Sequence, residues 1–241
     1  MIDIHAHILP GVDDGSPSLT SSLEMARLAV ESGVTAMIAT PHCNLPESDE
    51  PLWADVLTRC EQDLSQTLAR EGIELTLCAG MEIFGTQDTP EKLRDGRLCT
   101  LASSRYPLIE FPFHNYGREA SEILARVLSM GLRPIVGDEE PRLLNLWVDM
   151  GCLLQVNRGS LLGRFGAREE ALGHSLIERG FAAFVASDAH TSVVRTPWMR
   201  DVQELLRREY SPRTAQLLLQ EHAEKVLCNE TIEMDEPDWF D

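Results

Sequence analysis

Residues 1–7 read Met-Ile-Asp-Ile-His-Ala-His and residues 182–190 read Ala-Ala-Phe-Val-Ala-Ser-Asp-Ala-His. Each is a short apolar run that ends on two metal-capable side chains one residue apart. In an extended chain that spacing puts both groups on the same side, which suits ligation of one ion. Working inward, further β-branched or apolar runs follow at Val34–Thr40, Ile73–Ala79, Pro107–Phe111, Arg133–Val136 and Leu153–Val156. With Ile2–His5 and Ala182–Ala186 they predict seven strands. Amphipathic helices are predicted between them at Ser18–Ser32, Leu52–Glu71, Glu119–Met130, Leu143–Met150 and Arg168–Arg179. Gly33, Gly72, Gly131, Gly151 and Gly180 close them, where a left-handed cap costs least. Arg200–Arg208 and Pro212–Val226 read as terminal helices. Strand–helix alternation with near-continuous apolar strands calls for a parallel sheet, and no GxGxxG turn points to a dinucleotide fold. The fold class expected is α/β, a TIM-like barrel with seven strands.

Composition fits that reading. The 241 residues are 43% hydrophobic and 25% charged, an ordinary globular balance that excludes disordered and collagen-like chains. A net charge of −18 repels phosphate backbones, so nucleic acid is excluded as a partner. Cys43, Cys60, Cys78, Cys99, Cys152 and Cys228 form no C-x-x-C pair, and the chain opens directly on Met-Ile-Asp-Ile-His without a signal peptide. A reducing, cytoplasmic setting is expected. No apolar run reaches the roughly 18 residues needed to span a bilayer, so direct membrane insertion is not expected. The end of the chain carries six acidic residues and no basic one between Glu230 and Asp241. We expect one barrel domain over residues 1–228 and a loose, solvated acidic tail over 229–241.

The metal-capable side chains recur where the predicted strands end. His5 and His7 follow strand one, His42 strand two, Glu82 strand three, Asp138 strand five, and Asp188 with His190 strand seven, while Glu110 lies in strand four. In a (β/α) barrel these positions converge on the carboxyl-end rim that hosts active sites. Glu110 interrupts an apolar strand, so either a salt-bridge partner or a cation must compensate it. His174 and His222 sit in helical patterns without companion ligands and are assigned to the surface. Mixed imidazole and carboxylate donors suit Mn²⁺, Zn²⁺, Fe or Mg²⁺, and so many of them imply two or three divalent ions. Clustered ions of this kind serve hydrolysis of phosphate esters or amides. Neither a G-x-S-x-G elbow nor a P-loop is present to suggest another chemistry.

The ordered motifs His5-Ala-His7 through Asp13-Asp14-Gly15, Thr40-Pro-His42, Gly80-Met-Glu82, Leu108-Ile-Glu110-Phe-Pro, Asn157-Arg-Gly-Ser-Leu-Leu-Gly-Arg-Phe-Gly and Ser187-Asp188-Ala-His190 together resemble the PHP (polymerase and histidinol phosphatase) superfamily. Within it they resemble the bacterial capsular-polysaccharide tyrosine-phosphatase branch. The resemblance runs from residue 1 to about residue 200. It implies a distorted seven-stranded barrel of PHP type with up to three ions, often manganese. It also implies hydrolysis of phosphotyrosine on the kinase that controls exopolysaccharide assembly. Carried over by position, His5, His7, Glu82 and Asp188 would hold one ion and Glu82 with Glu110 a second. His42, His190 and either Asp13 or Asp14 would hold the third. Arg195 would grip the phosphate, a role its fixed fork suits.

This chain departs from the family where a His-Pro-Glu-Arg motif would follow strand five. It reads Gly137-Asp138-Glu139-Glu140-Pro141-Arg142, so Asp138 stands in for the missing imidazole and Arg142 aligns with the second phosphate-binding arginine. Where a second histidine would follow Thr-Pro-His stands Cys43. His114, after Phe113, is either a group that approaches the ions or donates a proton, or a loop histidine facing solvent. The added negative charge at strand five should disfavour a dianionic monoester relative to a diester or triester. The expected function is a metal-dependent phosphoesterase, protein-tyrosine-phosphatase-like, in which a metal-bridged hydroxide attacks phosphorus. Its partners would be a phosphate-ester substrate and a phosphotyrosine kinase tail. The competing readings are a phosphodiesterase or phosphotriesterase on the same site and a degenerate, non-catalytic kinase-binding barrel.

Overall fold

A computed structural model describes residues 1–45, 54–111, 117–137 and 141–240. In chain order its strands are β1 (Ile2–Ala6), β2 (Ala36–Ala39), β3 (His42–Cys43), β4 (Thr76–Ala79), β5 (Glu82–Phe84), β6 (Leu108–Glu110), β7 (Ile135–Val136), β8 (Leu153–Asn157) and β9 (Ala182–Ala186). All pair in parallel, in a three-stranded sheet ordered β1-β2-β4 and a six-stranded sheet ordered β3-β5-β6-β7-β8-β9. The helices between them are α1 (Leu19–Ser32), α2 (Ala54–Arg70), α3 (Thr89–Arg94), α4 (Gly117–Ser129), α5 (Pro141–Met150), α6 (Arg158–Leu161) and α7 (Ala167–Glu178). After β9 come α8 (Arg200–Glu209), α9 (Pro212–Gln216), a π-helical turn at Leu217–Glu221 and α10 (His222–Leu227).

Beyond the second and third apolar runs, which give β2 and β4, lie two short strands the sequence does not predict, β3 and β5. Pro41 has no N–H to give a ladder, and Gly80 is packed so closely that a Cβ there would come within 2.7 Å of Ile38. Past these residues the chain shifts into the second sheet, with Glu82 N–H donating to Pro41 O at 3.1 Å. The ends of the chain meet as well. His7 N–H donates to Ala189 O at 2.8 Å and Asp188 N–H to His5 O at 3.0 Å, beside a parallel bridge between Ala6 and Ala189.

Helix α1 illustrates the local logic. Ser18 caps it by accepting from Ser21 N–H, Met25, Ala26 and Ala29 are buried, and Gly33 ends it at φ 99°. All five glycines expected to close helices have positive φ. The main core lies between the helices and the sheets, whereas Ile4, Ile38, Leu108, Ile135, Leu153 and Phe184 form a second cluster near the strands' amino ends. Ala223 and Val226 of α10 close that end. The carboxyl ends are left for polar side chains.

Three expectations are corrected here. The terminal helix expected over Pro212–Val226 is interrupted by the π-turn, which is followed by an inward-facing His222. His222 is buried and donates from Nδ1 to Ala183 O at 2.8 Å, so it is not a surface histidine. His174 is half-buried against the Tyr210 hydroxyl, 2.5 Å away. The acidic tail is not loose either: Ile232 is fully buried, Tyr106 Oη donates to Glu230 O at 2.6 Å, and Trp239 and Phe240 pack on Phe181. Its apolar residues, not its charges, decide its placement. All six cysteines are free thiols, and no helix among the described residues is long and apolar enough to cross a membrane.

Candidate metal centre

Strand β1 is buried on both faces, and its alternation sends His5 toward the same side as His7, two residues on. His7 is fixed by the loop that follows. Ser16 N–H donates to His7 O at 3.0 Å, and Gly15 lies so close that an added Cβ would overlap His7 Cβ and its carbonyl oxygen. That approach brings in Asp13 and Asp14 and separates their roles. Asp13 accepts from His7 Nδ1 at 2.7 Å and from the backbone N–H of Gly15 and His42, both at 3.0 Å. Asp14 instead projects a carboxylate oxygen to 3.5 Å from His42 Nε2 and 3.6 Å from His190 Nε2. Asp188 sits just beyond β9 at φ 50°, a left-handed conformation that costs a non-glycine residue energy and is often retained at functional sites.

Donor atoms gather into three overlapping groups, each within 4.8 Å: His5, His7 and Asp188; His42, Glu82 and Glu110; and His7, Asp14, His42 and His190. Glu82 lies among them. Its Oε1 is 3.2 Å from His5 Nε2, and its Oε2 is 3.2 Å from His7 Nε2 and 3.0 Å from His42 Nδ1. Glu110 Oε1 is 3.2 Å from His42 Nδ1, so the strand-four carboxylate has a histidine partner and half-exposed surroundings in place of an apolar one.

The electrostatics show what this crowding costs. Burial opposes the cation at His42, but Glu110 and Glu82 outweigh it and raise its pKa to about 10. Burial likewise opposes protonation of His7, yet Asp13, Asp188 and Glu82 raise it well above the usual range. Burial would raise Glu82, but His5, His42 and His7 hold its carboxyl well below the usual value. Burial and the neighbouring His7 and Arg195 charges push His190 down to about 4. His190 Nε2 remains buried without a hydrogen-bond partner, and buried Glu82 Oε2 has only its ion-pair contacts with His7 and His42. Unpartnered lone pairs among clustered imidazoles and carboxylates are the donor set a divalent cation satisfies, and the residues present fit such ions.

A cavity of about 630 Å³ opens beside the cluster. His5, His42, Glu82, Glu110, Asp188 and Arg195 line its polar side. Phe111, Val136, Trp147 and Leu172 line an apolar side, with the Phe111 and Trp147 ring centroids 5.7 Å apart. Arg195 pairs through Nη2 with Asp188 Oδ2 and keeps a buried Nε without a partner. His5, His7, Asp13, Asp14, His42, Glu82, Glu110, Asp188, His190 and Arg195 are thus brought together. His114, Asp138 and the side chain of Arg142 lie outside the described residues. Sequence reasoning gave no role to Gln155 and Asn157, which touch His5 and Asp188 from behind. They lie on β8, which pairs with β9.

Residues 1–228 match the family model described as capsular polysaccharide synthesis, CpsB/CapC. The tyrosine-protein phosphatase YwqE of Bacillus subtilis is 36% identical, across 96% of this chain and 93% of that protein. The tyrosine-protein phosphatase CpsB of Streptococcus pneumoniae is 29% identical, across 96% of this chain and all of that protein. A crystal structure from a study of those two proteins, described as unique metal-dependent tyrosine phosphatases, superposes with a TM-score of 0.94 at 33% identity over the whole of both chains. Sequence motifs, fold and family model agree, and the chain belongs to the CpsB/CapC family of the PHP branch.

Proposed function

We propose that this chain is a metal-dependent phosphatase of tyrosyl phosphate esters. The observation that carries the reading is a cavity lined both by donors of the cluster, His5, His42, Glu82, Glu110 and Asp188, and by aromatic and aliphatic residues. A cavity of that size suits a phosphorylated side chain. The activity of the CpsB and YwqE relatives supports it.

His5, His7, Glu82 and Asp188 would hold one ion, Glu82 and Glu110 a second, and Asp14, His42 and His190 a third. Such ions, manganese in our reading, supply an activated water and neutralise charge developing on the phosphoryl oxygens. The chain's own side chains do the rest. Asp13 accepts the His7 Nδ1 proton and so keeps Nε2 directed at the cluster. Arg195 lines the cavity, is held there by Asp188 and would present its guanidinium fork to a phosphoryl oxygen. Phe111 and Trp147 offer an apolar surface to the tyrosyl ring and exclude water from that side of the cavity.

The same reading takes a kinase's phosphotyrosine tail as the physiological substrate and places the protein in the cytoplasm. It treats residues 1–228 as one domain with residues 229–241 as its tail. The two sheets are read as one seven-stranded barrel, with β2 and β3, and likewise β4 and β5, as interrupted single strands. The contacts between His5, His7 and residues 188–189 support that closure.

The test is hydrolysis of a phosphotyrosyl peptide and of aryl phosphate mono-, di- and triesters by metal-stripped and manganese-loaded protein. Metal-dependent release of phosphate from the peptide and the monoester is expected. Preference for the diester or triester would move the assignment to the alternative esterases, and metal uptake without any hydrolysis would reduce the chain to a binding module.

A further inference from the structure

The histidines His5 and His7 have different partners behind them. His7 Nδ1 meets Asp13, a carboxylate that only accepts, so its proton is fixed on that side. His5 Nδ1 meets the side-chain amide of Gln155 at 2.9 Å, and Gln155 is only 2% exposed. The amide nitrogen there also donates to Asn157 Oδ1 at 2.8 Å, and Asn157 Nδ2 donates to Asp188 Oδ2 at 3.0 Å. Two amides therefore link His5 and Asp188, two donors of one group. Gln155 Oε1 meanwhile is buried without a hydrogen-bond partner. A buried acceptor left unpaired is costly, and an amide can exchange its oxygen and nitrogen by a half turn.

We propose that Gln155 is a positioning residue that orients His5 toward an ion, acting as a two-way partner of its Nδ1 with Asn157 behind it. The proposal rests on the ion-binding reading of the cluster. For Nε2 of His5 to ligate, the ring proton must sit on Nδ1 and needs an acceptor there. A half turn of the Gln155 amide places Oε1 against Nδ1, where it accepts the ring proton, and moves the unpartnered position to the amide nitrogen. Asn157 turns with it, donating Nδ2 to Gln155 Oε1. Asp188 Oδ2 then gives up its Asn157 donor and keeps that of Arg195 Nη2. An aspartate or glutamate at 155 would serve the ligating state alone, and an apolar residue would serve neither.

The experiment is titration of metal-stripped protein with Mn²⁺ by calorimetry, alongside melting of the metal-free and Mn²⁺-loaded forms. Gln155→Leu keeps the shape and removes the amide, and Gln155→Glu keeps only the acceptor. Gln155→Leu should weaken the tightest Mn²⁺ binding by about 10- to 100-fold, as losses behind metal ligands commonly do. Its metal-free melting temperature should change little, because removal of the unpaired oxygen offsets the loss of the two hydrogen bonds from the amide nitrogen. Gln155→Glu should recover most of the lost affinity. Wild-type Mn²⁺ affinity in Gln155→Leu would overturn the proposal while leaving the metal centre intact. A lowered metal-free melting temperature in Gln155→Leu with no recovery in Gln155→Glu would overturn it too, by reducing Gln155 to a packing residue. Absence of Mn²⁺ binding by the wild type would instead remove the ion-binding reading, and this inference with it.

Discussion

His42 provides a proton count that tests whether the cluster exchanges hydrogen ions for metal ions. Against the cost of burial, Glu110 and Glu82 raise it to about 10 in the metal-free protein. At pH 7 that is about three units above ambient, so only about one molecule in a thousand has a neutral ring. Removing the proton costs about 4 kcal/mol. A ligating imidazole nitrogen must be unprotonated, so loading releases this proton. His7, raised well above its usual value, adds a second, leaving from Nε2 because Asp13 keeps the Nδ1 proton. Calorimetric titration with Mn²⁺ at pH 7.5, in buffers of different ionisation enthalpy, should report between about one and three protons released per molecule loaded, the third from His5, which Glu82 and Asp188 raise against the cost of burial. The apparent affinity should rise about tenfold per pH unit for each proton, from neutrality toward pH 10. His42→Gln should lower the count by about one. Release of fewer than about half a proton, or an unchanged count in His42→Gln, would refute the reasoning.

Metal-free protein should lose stability as pH rises from neutrality toward 10. His42 and His7 have folded-state values above the unfolded one, so their contribution is complete below about 6.5 and disappears as pH passes the raised value; melting curves with and without Mn²⁺ check this, the loaded form being spared. His222 works the other way, since burial lowers it and its neutral form is the folded one; the stability gap between wild type and His222→Leu, read by urea unfolding, should narrow as pH falls below about 6.5. Gly15→Ala should displace the Asp13–Asp14 loop from His7, cost about 1–3 kcal/mol in urea unfolding, and lower the number of ions found by elemental analysis. Deleting residues 230–241 should cost about 4 kcal/mol, since burial of Ile232 is worth about 2 and each of the two hydrogen bonds at the Tyr106 hydroxyl about 1; an unchanged denaturation midpoint would show that the tail contributes nothing.

The parts legible in the sequence are those set by period and by chemical rarity. Charged and imidazole groups at the ends of apolar runs stand out because burial without partners is too costly to occur by chance, as at His5, Glu82 and Asp188. Helix ends were legible because a cap such as Ser18 or Gly33 acts on its own helix. What depended on neighbours distant in sequence was not. Spacing offered Asp13 and Asp14 equally, and only the close approach of Gly15 to His7 turns one toward His7 Nδ1 and the other toward His42 and His190. Charge made the tail look solvated, although Ile232, Trp239 and Phe240 each find apolar surface on other elements. Gln155 gave no signal, since an amide in a strand is uninformative until its oxygen is found without a partner beside a histidine.

The contrast between His42 and His190 follows from how charge is divided across the cluster. Both rings approach Asp14, yet one is raised to about 10 and the other lowered to about 4. His42 faces Glu82 and Glu110, whereas His190 is buried near His7 and Arg195, so protons accumulate on one side and are excluded from the other. Without ions, protons on His42 and His7 balance Glu82, Glu110 and Asp13, and His190 keeps a free lone pair on Nε2. Divalent cations held by these residues would replace those protons with larger charge. A cation entering beside Asp14 finds His190 already deprotonated and must displace a proton only from His42, which makes Asp14, exposed at 71%, the natural first contact.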